Sequence, residues 1–259
     1  MYNPFDFRGK TVIVTGGGKG IGRGISQQFL AGGANVLICG RTTPSTLPEA
    51  GGNSALFTSC DVRKIDQIEA CVAQAVALFG ALDVLVNNAG GAPFADAATV
   101  SPRFSESIIH LNLIAPLHFS QAANRVMQSQ ATGGSIINIA SVSSLRPSPG
   151  TAAYGAAKAG LVNLGSSLAI EWAPKVRVNA VVVGLTETEQ AHLHYGDEKG
   201  IAAVAAGIPL GRMAVPGDIA NACLFLASKA ASYVSGTSFA VHGGGEKPAF
   251  LDAANPANP

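Results

Sequence analysis

Residues 15–22 read Thr-Gly-Gly-Gly-Lys-Gly-Ile-Gly, and they lie between an apolar run at 11–14 and a segment of helical period. In that segment, from Ile21 to Phe29, apolar residues recur every four positions. Glycines let the backbone turn tightly and approach a phosphate closely, and a helix N-terminus presents unpaired N–H groups. The stretch therefore predicts a cradle for the pyrophosphate of a dinucleotide, formed by Gly16, Lys19, Gly20, Ile21 and Gly22.

Further short β-branched runs alternate with segments of helical period along the chain. They predict seven strands, at 11–16, 35–40, 54–59, 83–88, 135–140, 176–183 and 237–242. Crossover helices are predicted between strands, among them 64–79 and 154–172. Such alternation is typical of βαβ units and predicts an α/β fold, a Rossmann-like, doubly wound, seven-stranded parallel sheet with helices on both faces. The Pro-, Thr- and Gly-rich stretch 41–54 leaves room for at most a short helix and predicts a loop-like wall.

Composition limits the class of protein. With 259 residues, we expect a single domain over 1–259, with 245–259 as a C-terminal tail. A net charge of +1 argues against nucleic acid, and Gly, Pro or charged residues interrupt every long apolar stretch, which argues against a membrane. No signal-peptide pattern opens the chain, and the four cysteines lack metal-ligand spacing. We therefore expect a cytoplasmic protein with reduced thiols, no metal and a small-molecule partner.

The end of the second predicted strand bears on cofactor selectivity. A NAD site places a carboxylate about 20 residues beyond the glycines, but this chain has Cys39-Gly40-Arg41 there. Arg41 offers a guanidinium to a 2′-phosphate, and Lys19 offers a second cation. The pattern favours NADP(H) over NAD(H). The alternative is that both cations are solvated surface charges.

Two residues of the predicted helix 154–172 suggest acid–base chemistry. Tyr154 and Lys158 are four apart, so their side chains lie on one face of the helix. A free tyrosine is a poor acid at neutral pH, and an adjacent ammonium lowers its pKa. The pair therefore predicts a phenol tuned for proton transfer. The alternative is an ordinary amphipathic helix.

Six motifs occur together in this chain. They are TGGGKGIG at 15–22, Asp61-Val62, NNAG at 87–90, Asn112, Ser141 and YGAAK at 154–158. In this order and spacing, the sequence resembles the single-domain branch of the short-chain dehydrogenase/reductases over about residues 8–245. The segment 211–245 is similar to the end of the β-ketoacyl-acyl-carrier-protein reductases and their relatives.

The resemblance implies a role for each matched residue. Tyr154 donates the proton, Ser141 holds the substrate oxygen, and Lys158 also bonds the nicotinamide ribose. Asn112 exposes a backbone carbonyl to a water linked to Lys158. The remaining cofactor contacts that the resemblance implies are Asp61 and Val62 at the adenine, Asn88, Ala89 and Gly90 at the adenosine ribose, and Thr186 and Thr188 at the nicotinamide amide.

The chain departs from the family pattern at two places. Val183-Gly184 stands where a Pro-Gly pair is usual, and His242 stands where an aspartate is common. A loop without proline is less restricted. We therefore expect a less rigid loop at Val183-Gly184. His242 bears on assembly, because the resemblance places this position near a subunit contact.

The resemblance implies an NADP(H)-dependent oxidoreductase that transfers hydride between the nicotinamide and a ketone or secondary alcohol, with 3-oxoacyl thioesters as the first substrate class. One alternative is a dehydrogenase of a cyclic or steroid-like hydroxy compound, and another is a catalytically idle NADP-binding regulator. Helix 154–172 is apolar around much of its circumference. It predicts a homotetramer or homodimer that pairs through helices at about 100–130 and 154–172.

Overall fold

Seven parallel strands form the central sheet in the computed structural model, which describes residues 3–248 and 250. In chain order the strands are β1 (Thr11–Thr15), β2 (Asn35–Gly40), β3 (Glu49–Ala50), β4 (Asn53–Ser54), β5 (Leu56–Ser59), β6 (Val84–Asn87), β7 (Gly134–Ser141), β8 (Val176–Val183) and β9 (Ser238–Val241). The sheet order is β5-β2-β1-β6-β7-β8-β9, and β3 and β4 pair separately. The predicted fold class is confirmed.

Helices cover both faces of this sheet. They are α1 (Gly20–Ala31), α2 (Ile65–Phe79), α3 (Pro102–Ile109), α4 (Ala115–Ser129), α5 (Ala152–Glu171), α6 (His192–Tyr195), α7 (Glu198–Ala206) and α8 (Pro216–Ala227). A π-helical turn, His110–Ile114, joins α3 to α4. No helix in the described part of the chain is long and apolar enough to cross a bilayer.

Strand alternation builds two cores. Val12 and Val14 pack with α1 and α8 on one face, whereas Ile13 packs with α2, α4 and α5 on the other. Successive strand residues point to opposite faces, so a strand buried on both sides is apolar at every position. This explains why β1 is buried along its whole length.

The stretch 41–54 contains no helix, and it ends in the hairpin β3–β4. Gly51 and Gly52 form its turn with φ of +59° and +78°. Two successive positive φ values suit a two-residue hairpin, which glycines adopt without steric cost. Residue 54 therefore belongs to the hairpin, and the third strand of the main sheet begins at Leu56 rather than at 54. Residues 249 and 251–259 of the expected tail lie outside the described residues.

The sheet order reverses between β1 and β6. From β1 the chain first builds outward through β2 and β5, and then returns to build β6 to β9 on the other side. In open α/β sheets a crevice forms at the carboxyl ends of the strands at such a switch point. The ends of β1, β6, β7 and β8 are therefore where a ligand site is expected.

Candidate active site

A cleft of about 990 Å³ opens at the carboxyl ends of these strands. It is large enough for a cofactor-sized ligand. All but one of the residues predicted for the site line it: Gly16, Lys19, Gly20, Ile21, Gly22, Arg41, Asp61, Val62, Asn88, Ala89, Gly90, Ser141, Tyr154, Lys158, Thr186 and Thr188. The exception is Asn112, which is fully buried behind the cleft. The fold thus brings residues from both halves of the chain to one place.

The glycine turn has the shape of a cradle. Gly16 has φ +64° and Gly20 has φ +52°, a region that favours glycine. A Cβ at Gly22 would lie 2.3 Å from the Gly16 carbonyl oxygen, so a side chain has no room there. Ser26 of α1 donates from its hydroxyl to the Gly22 carbonyl at 2.8 Å. The backbone therefore turns tightly into α1, as a bound pyrophosphate requires.

A hydroxyl and an amide hold this turn against β6. Thr15 Oγ1 accepts hydrogen bonds from the backbone N–H groups of Asn88 and Ala89, each at 2.9 Å. The Asn88 side chain donates to the Thr15 carbonyl at 2.9 Å. The side chain of Asn88 and the backbone N–H groups of Asn88 and Ala89 thus brace the turn. The contact of this loop with a ribose stays a prediction. The role of Thr15 was missed, because a threonine at a strand end carries no distinctive pattern.

The end of the cleft beside β2 and β5, where adenosine is predicted, contains three cations. Lys19 and Arg41 are exposed and take part in no ion pair among the residues that the structure describes. Arg63, which the sequence reasoning missed, donates to both carboxylate oxygens of Asp61, at 2.9 and 2.6 Å. These bonds lower the pKa of Asp61 to about 2, and the nearby charge of Arg41 contributes. Asp61 is therefore an anion already paired with Arg63.

Lys158 lies on α5 and is buried. Its Nζ donates to the Ile139 carbonyl at 2.7 Å, and it lies 5.5 Å from the centroid of the Tyr154 ring. Burial lowers the pKa of Lys158 to about 8, because the low-dielectric surroundings disfavour its charged form. The ammonium therefore lies beside the phenol with a pKa close to neutral.

The pKa of Tyr154 differs from the expectation. Burial raises it, and the hydroxyl of Ser141 partly offsets the rise. Desolvation of the phenol dominates, and the Lys158 ammonium is directed at the Ile139 carbonyl. The lowering expected from Lys158 together with the positive charge of an oxidised nicotinamide stays a prediction. Ser141 Oγ, at the end of β7, also accepts from the Ser143 N–H at 3.2 Å. The hydroxyl and the phenol nevertheless meet in the cleft, next to Lys158.

Asn112 lies in the π-helical turn between α3 and α4. Its amide nitrogen donates to the Gly91 carbonyl at 3.0 Å, and its amide oxygen accepts from the Gly91 N–H at 2.8 Å. A Cβ at Gly90 would lie 2.6 Å from the Asn112 oxygen and 3.3 Å from Lys158 Nζ. Asn112 thus fixes the loop after β6 directly beside Lys158. Its expected link to a water stays a prediction.

The segment after β8 crosses over the glycine turn. Thr186 is buried and bonds the Gly184 carbonyl at 3.2 Å, and Thr188 lies beside Gly20. Glu189 Oε1 accepts from the Gly20 N–H at 2.8 Å, a contact that the sequence reasoning missed. A carboxylate therefore lies at the N-terminus of α1, where phosphate is expected.

The glycine after Val183 lies against His242, the second departure from the family pattern. A Cβ at Gly184 would lie 2.7 Å from the His242 Cα, and the Gly184 N–H donates to the Val241 carbonyl at 2.9 Å. The loop after β8 is thus held against the end of β9 by backbone contact. Beyond Ser141, the cleft is lined by Arg146 and Tyr195, which sequence reasoning also missed. Arg146 forms an ion pair with Glu246 at 2.6 Å.

A family model and individual relatives both match nearly the whole chain. Residues 16–246 match the family described as Enoyl-(Acyl carrier protein) reductase. The chain is 36% identical over 248 residues to 2-dehydro-3-deoxy-D-gluconate 5-dehydrogenase of Escherichia coli, covering 94% of this chain and 98% of that one. It is 38% identical over 242 residues to 3-oxoacyl-[acyl-carrier-protein] reductase of Chlamydia trachomatis, covering 91% and 96%.

A solved structure agrees with these relatives. The ligand-free aldohexose dehydrogenase of Thermoplasma acidophilum superposes with a TM-score of 0.85 and 32% identity, covering 97% of each chain. The agreement extends over nearly the whole of both chains. The chain therefore belongs to the short-chain dehydrogenase/reductase superfamily of oxidoreductases.

Proposed function

We propose that the protein is an NADP(H)-dependent reductase that transfers hydride to a ketone, with 3-oxoacyl thioesters as the first substrate class. The observation that carries the proposal is the meeting of Ser141, Tyr154 and Lys158 in a cleft bounded by a glycine cradle. An idle NADP-binding regulator has no need for a half-buried phenol beside a buried ammonium.

The residues of the cleft fit a dinucleotide. The cradle has no room for a Cβ at Gly22 and presents the N-terminus of α1. Lys19 of the cradle and Arg41, which follows β2, are cations without a carboxylate partner in the described residues. We assign both to a 2′-phosphate. Asp61 and Val62 would meet the adenine, Asn88, Ala89 and Gly90 the ribose, and Thr186 and Thr188 the nicotinamide amide.

The reaction needs a hydride and a proton. The cofactor held by the glycine cradle would supply the hydride when bound in its reduced form. Tyr154 donates its phenolic proton to the carbonyl oxygen, which Ser141 holds by a hydrogen bond. The Lys158 ammonium stabilises the phenolate that remains, and its pKa of about 8 lets it return a proton near neutral pH. Asn112 keeps the loop beside Lys158 in place.

Oxidation of a cyclic hydroxy compound is the second candidate. Two similar proteins favour it, 2-dehydro-3-deoxy-D-gluconate 5-dehydrogenase and aldohexose dehydrogenase. The same three side chains would serve, with Tyr154 accepting the proton. The loops around 91–100, 142–150 and 186–208 would decide between the substrates.

We also propose that the protein is a cytoplasmic homotetramer or homodimer. All four cysteines are free thiols, as is usual in reducing compartments. On α5 most exposed positions carry small residues, Ala152, Ala156, Ala159 and Ser167, and Ile170 is 82% exposed, while Asn163 and Glu171 are the exposed polar exceptions. Such a stripe lets two helices approach closely about a two-fold axis. Light scattering at micromolar concentration should give at least twice the chain mass of 26.2 kDa.

A substrate panel tests the activity. Acyclic 3-oxoacyl thioesters, cyclic ketones and sugar lactones are offered with NADPH and with NADH, and the corresponding alcohols with NADP⁺ and NAD⁺. We expect the 3-oxoacyl thioesters with NADPH to give the highest kcat/KM. A higher kcat/KM for sugars or cyclic alcohols with an oxidised cofactor would select the second candidate.

A further inference from the structure

An ion pair lies at the end of the cleft that contains Ser141 and Tyr154, which we call the substrate end. Arg146 follows Ser141 by five residues, on the segment between β7 and α5, and it lines the cleft. Its Nη2 donates to Glu246 Oε1 at 2.6 Å, across 100 positions of sequence. Neither side chain has a part in the proposed transfer of hydride or proton. The pair therefore needs an explanation of its own.

Tyr195 connects this ion pair to the phenol that is assigned the proton transfer. It lines the cleft together with Arg146. Burial raises the pKa of Tyr195, and the charge of Glu246 raises it further while that of Arg146 lowers it. Tyr195 contributes in turn to the raised pKa of Tyr154. The ion pair thus lies within electrostatic reach of the place where the substrate carbonyl is expected.

The charges that line the cleft favour an anion at the substrate end. Among the described residues that line it, the only carboxylate is Asp61, which is paired with Arg63 at the opposite end. Arg146 and Lys158 are the lining cations that lie near Tyr154. Glu246 reaches the guanidinium from outside this lining. A cleft lined by one sign of charge attracts ligands of the opposite sign.

The Arg146 guanidinium is held in place from its own side of the cleft. Its Nη1 donates to the carbonyl of Pro147 at 3.0 Å, and the ring of proline restricts the backbone at that position. A guanidinium has five N–H donors in a planar fork, and the bonds to Pro147 and Glu246 use two of them. Arg146 can therefore keep its position and offer two parallel N–H groups to a carboxylate.

Glu246 is attached so that it can withdraw. It follows three successive glycines, residues 243–245, whose φ values are +64°, +97° and +90°. Glycine adopts this region without steric cost, and a run of three leaves the backbone with few restraints. Both side chains of the ion pair are 39% exposed, and a pair of this exposure contributes little stability. A competing anion can therefore displace the Glu246 carboxylate easily.

We propose that Arg146 binds a carboxylate of the substrate in the position that the Glu246 carboxylate occupies, so that ketones bearing a carboxylate react in preference to their neutral counterparts. The carboxylate can belong to the acyl chain of a thioester or to a small oxo acid. Glu246 neutralises the guanidinium until the substrate displaces it. The preference among ketones rests on the proposed function, whereas the carboxylate site itself does not.

A purely structural role of the ion pair predicts a different pattern. If the pair only ties the segment after β7 to the segment after β9, Arg146→Gln and Glu246→Gln break the same bond and should change the kinetics in the same direction. If Arg146 binds the substrate, Arg146→Gln removes the binding partner, whereas Glu246→Gln removes a competitor. The two variants should then change kcat/KM for an anionic ketone in opposite directions.

The experiment compares anionic ketones with neutral counterparts, using the full chain and NADPH. One matched pair is 4-oxopentanoate and its ethyl ester. The other is the N-acetylcysteamine thioester of 3-oxohexanedioate, which keeps a free carboxylate at the far end of its chain, and that of 3-oxohexanoate. In at least one pair the wild type should favour the anionic member by roughly tenfold in kcat/KM, and Arg146→Gln should abolish this preference. Glu246→Gln should raise kcat/KM for that member by roughly twofold to fivefold, the modest value of an exposed ion pair.

A second exposed ion pair supplies the control. Arg125 of α4 and Glu69 of α2 are paired at 2.8 Å outside the cleft lining, so Arg125→Gln and Glu69→Gln should change none of these values. The pair of ketones that shows the preference identifies the source of the carboxylate. Equal kcat/KM for anionic and neutral members in the wild type, or losses of the same size in Arg146→Gln and Glu246→Gln, would overturn the proposal.

Binding without turnover separates this site from the proposed function. Calorimetric titration of the cofactor-free protein with 4-oxopentanoate and with the anionic thioester measures the Kd of each carboxylate. For the preferred one, Arg146→Gln should raise the Kd by roughly tenfold, and Glu246→Gln should lower it. If these shifts appear but no ketone is reduced, the proposed function fails and the carboxylate site stands. Reduction of the neutral ketones without any Kd shift in Arg146→Gln would keep the proposed function and overturn the site.

Discussion

The two sides of the cleft are built differently. One side, which we call the wall, consists of the glycine turn 15–22 and the ends of β6 and β7 with the start of α5. It is held by buried hydrogen bonds, such as those of Thr15 and Lys158. The other side, the cover segment, spans 186–206 and contains the short helices α6 and α7. No residue of α7 is buried, and Glu189 is exposed.

This difference in packing between the wall and the cover segment shows which substitutions the protein can tolerate. The buried part of the wall is closely packed, so a small change in volume or charge there has nowhere to relax. The cover segment touches the wall through a few polar contacts, and such segments open at low free-energy cost. Substitutions in the wall should therefore have large effects on catalysis or binding, and substitutions in the cover segment should have small ones.

The largest effect is expected at the phenol of the wall. Tyr154→Phe keeps the ring but removes the proton donor, so kcat should fall by about 10²–10⁴-fold while the Kd for NADPH stays within a few-fold. Tyr233→Phe is the matched control, because Tyr233 is fully exposed and outside the cleft lining. Steady-state kinetics and a fluorescence titration measure the two quantities. A residual rate above roughly one percent would reassign the acid.

The next effect is expected at Arg41, which follows β2 at the exposed end of the cleft beside the glycine turn. Arg41→Asp places a carboxylate where a ribose 2′-hydroxyl can donate to it and where a 2′-phosphate is repelled. With Lys19, Arg41 should give the wild type a preference for NADPH of roughly a hundredfold, and the variant should prefer NADH. The ratio of kcat/KM for the two cofactors measures this.

Arg103→Asp makes the same charge reversal on α3, outside the cleft lining, and should leave the ratio unchanged. Equal use of NADH and NADPH by the wild type would show that Arg41 and Lys19 do not select the cofactor.

A single methyl group in the cradle should have a smaller effect. In Gly22→Ala the new Cβ would lie 2.3 Å from the Gly16 carbonyl oxygen and 2.5 Å from the Asn88 amide nitrogen, so the turn must shift. Overpacking of this kind costs about 1–3 kcal/mol, and we expect the Kd for NADPH to rise by roughly tenfold to a hundredfold. In Gly217→Ala the Cβ would meet nothing within 4 Å. Gly217→Ala should bind NADPH as the wild type does. An equal loss of NADPH affinity in both variants would mean that an alanine in a helix, rather than the steric clash at Gly22, causes the loss.

The same contrast explains what the sequence could predict. The seven strands and the glycine turn are specified locally, by β-branched runs and by glycines that sterics require, so their positions were predicted closely. The hairpin β3–β4 was missed because its strands are two residues long and polar. Arg63 was missed because its orientation toward Asp61 depends on the loop before α2, and no periodicity reports that.

Contacts between distant parts of the chain were the hardest to predict. Glu189 meets Gly20 across 169 positions of sequence, in a segment without an alternating or helical pattern. The close approach of Gly184 to His242 likewise joins two parts of the chain, the loop after Val183 and the end of β9, that the sequence analysis noted separately. The raised pKa of Tyr154 depends on how deeply the phenol is buried, which the spacing to Lys158 does not encode.

The smallest effect is expected in the cover segment. Glu189 accepts from the Gly20 N–H at 2.8 Å, at the N-terminus of α1, and a bound pyrophosphate would compete with it for that donor. An exposed carboxylate at a helix N-terminus is worth about 0.3–1 kcal/mol. Glu189→Gln should therefore lower the Kd for NADPH by roughly twofold to fivefold, since a neutral amide competes less and does not repel phosphate.

A matched variant in the same segment separates this contact from bulk charge. Glu187 is exposed, two residues away, and its side chain forms no hydrogen bond or ion pair within the described residues. If Glu189 acts through the Gly20 N–H, Glu187→Gln should change the Kd much less than Glu189→Gln does. Equal gains would assign the effect to long-range charge, which rising salt would then abolish. A weaker affinity in Glu189→Gln would mean that the cover segment organises the cradle rather than competing for it.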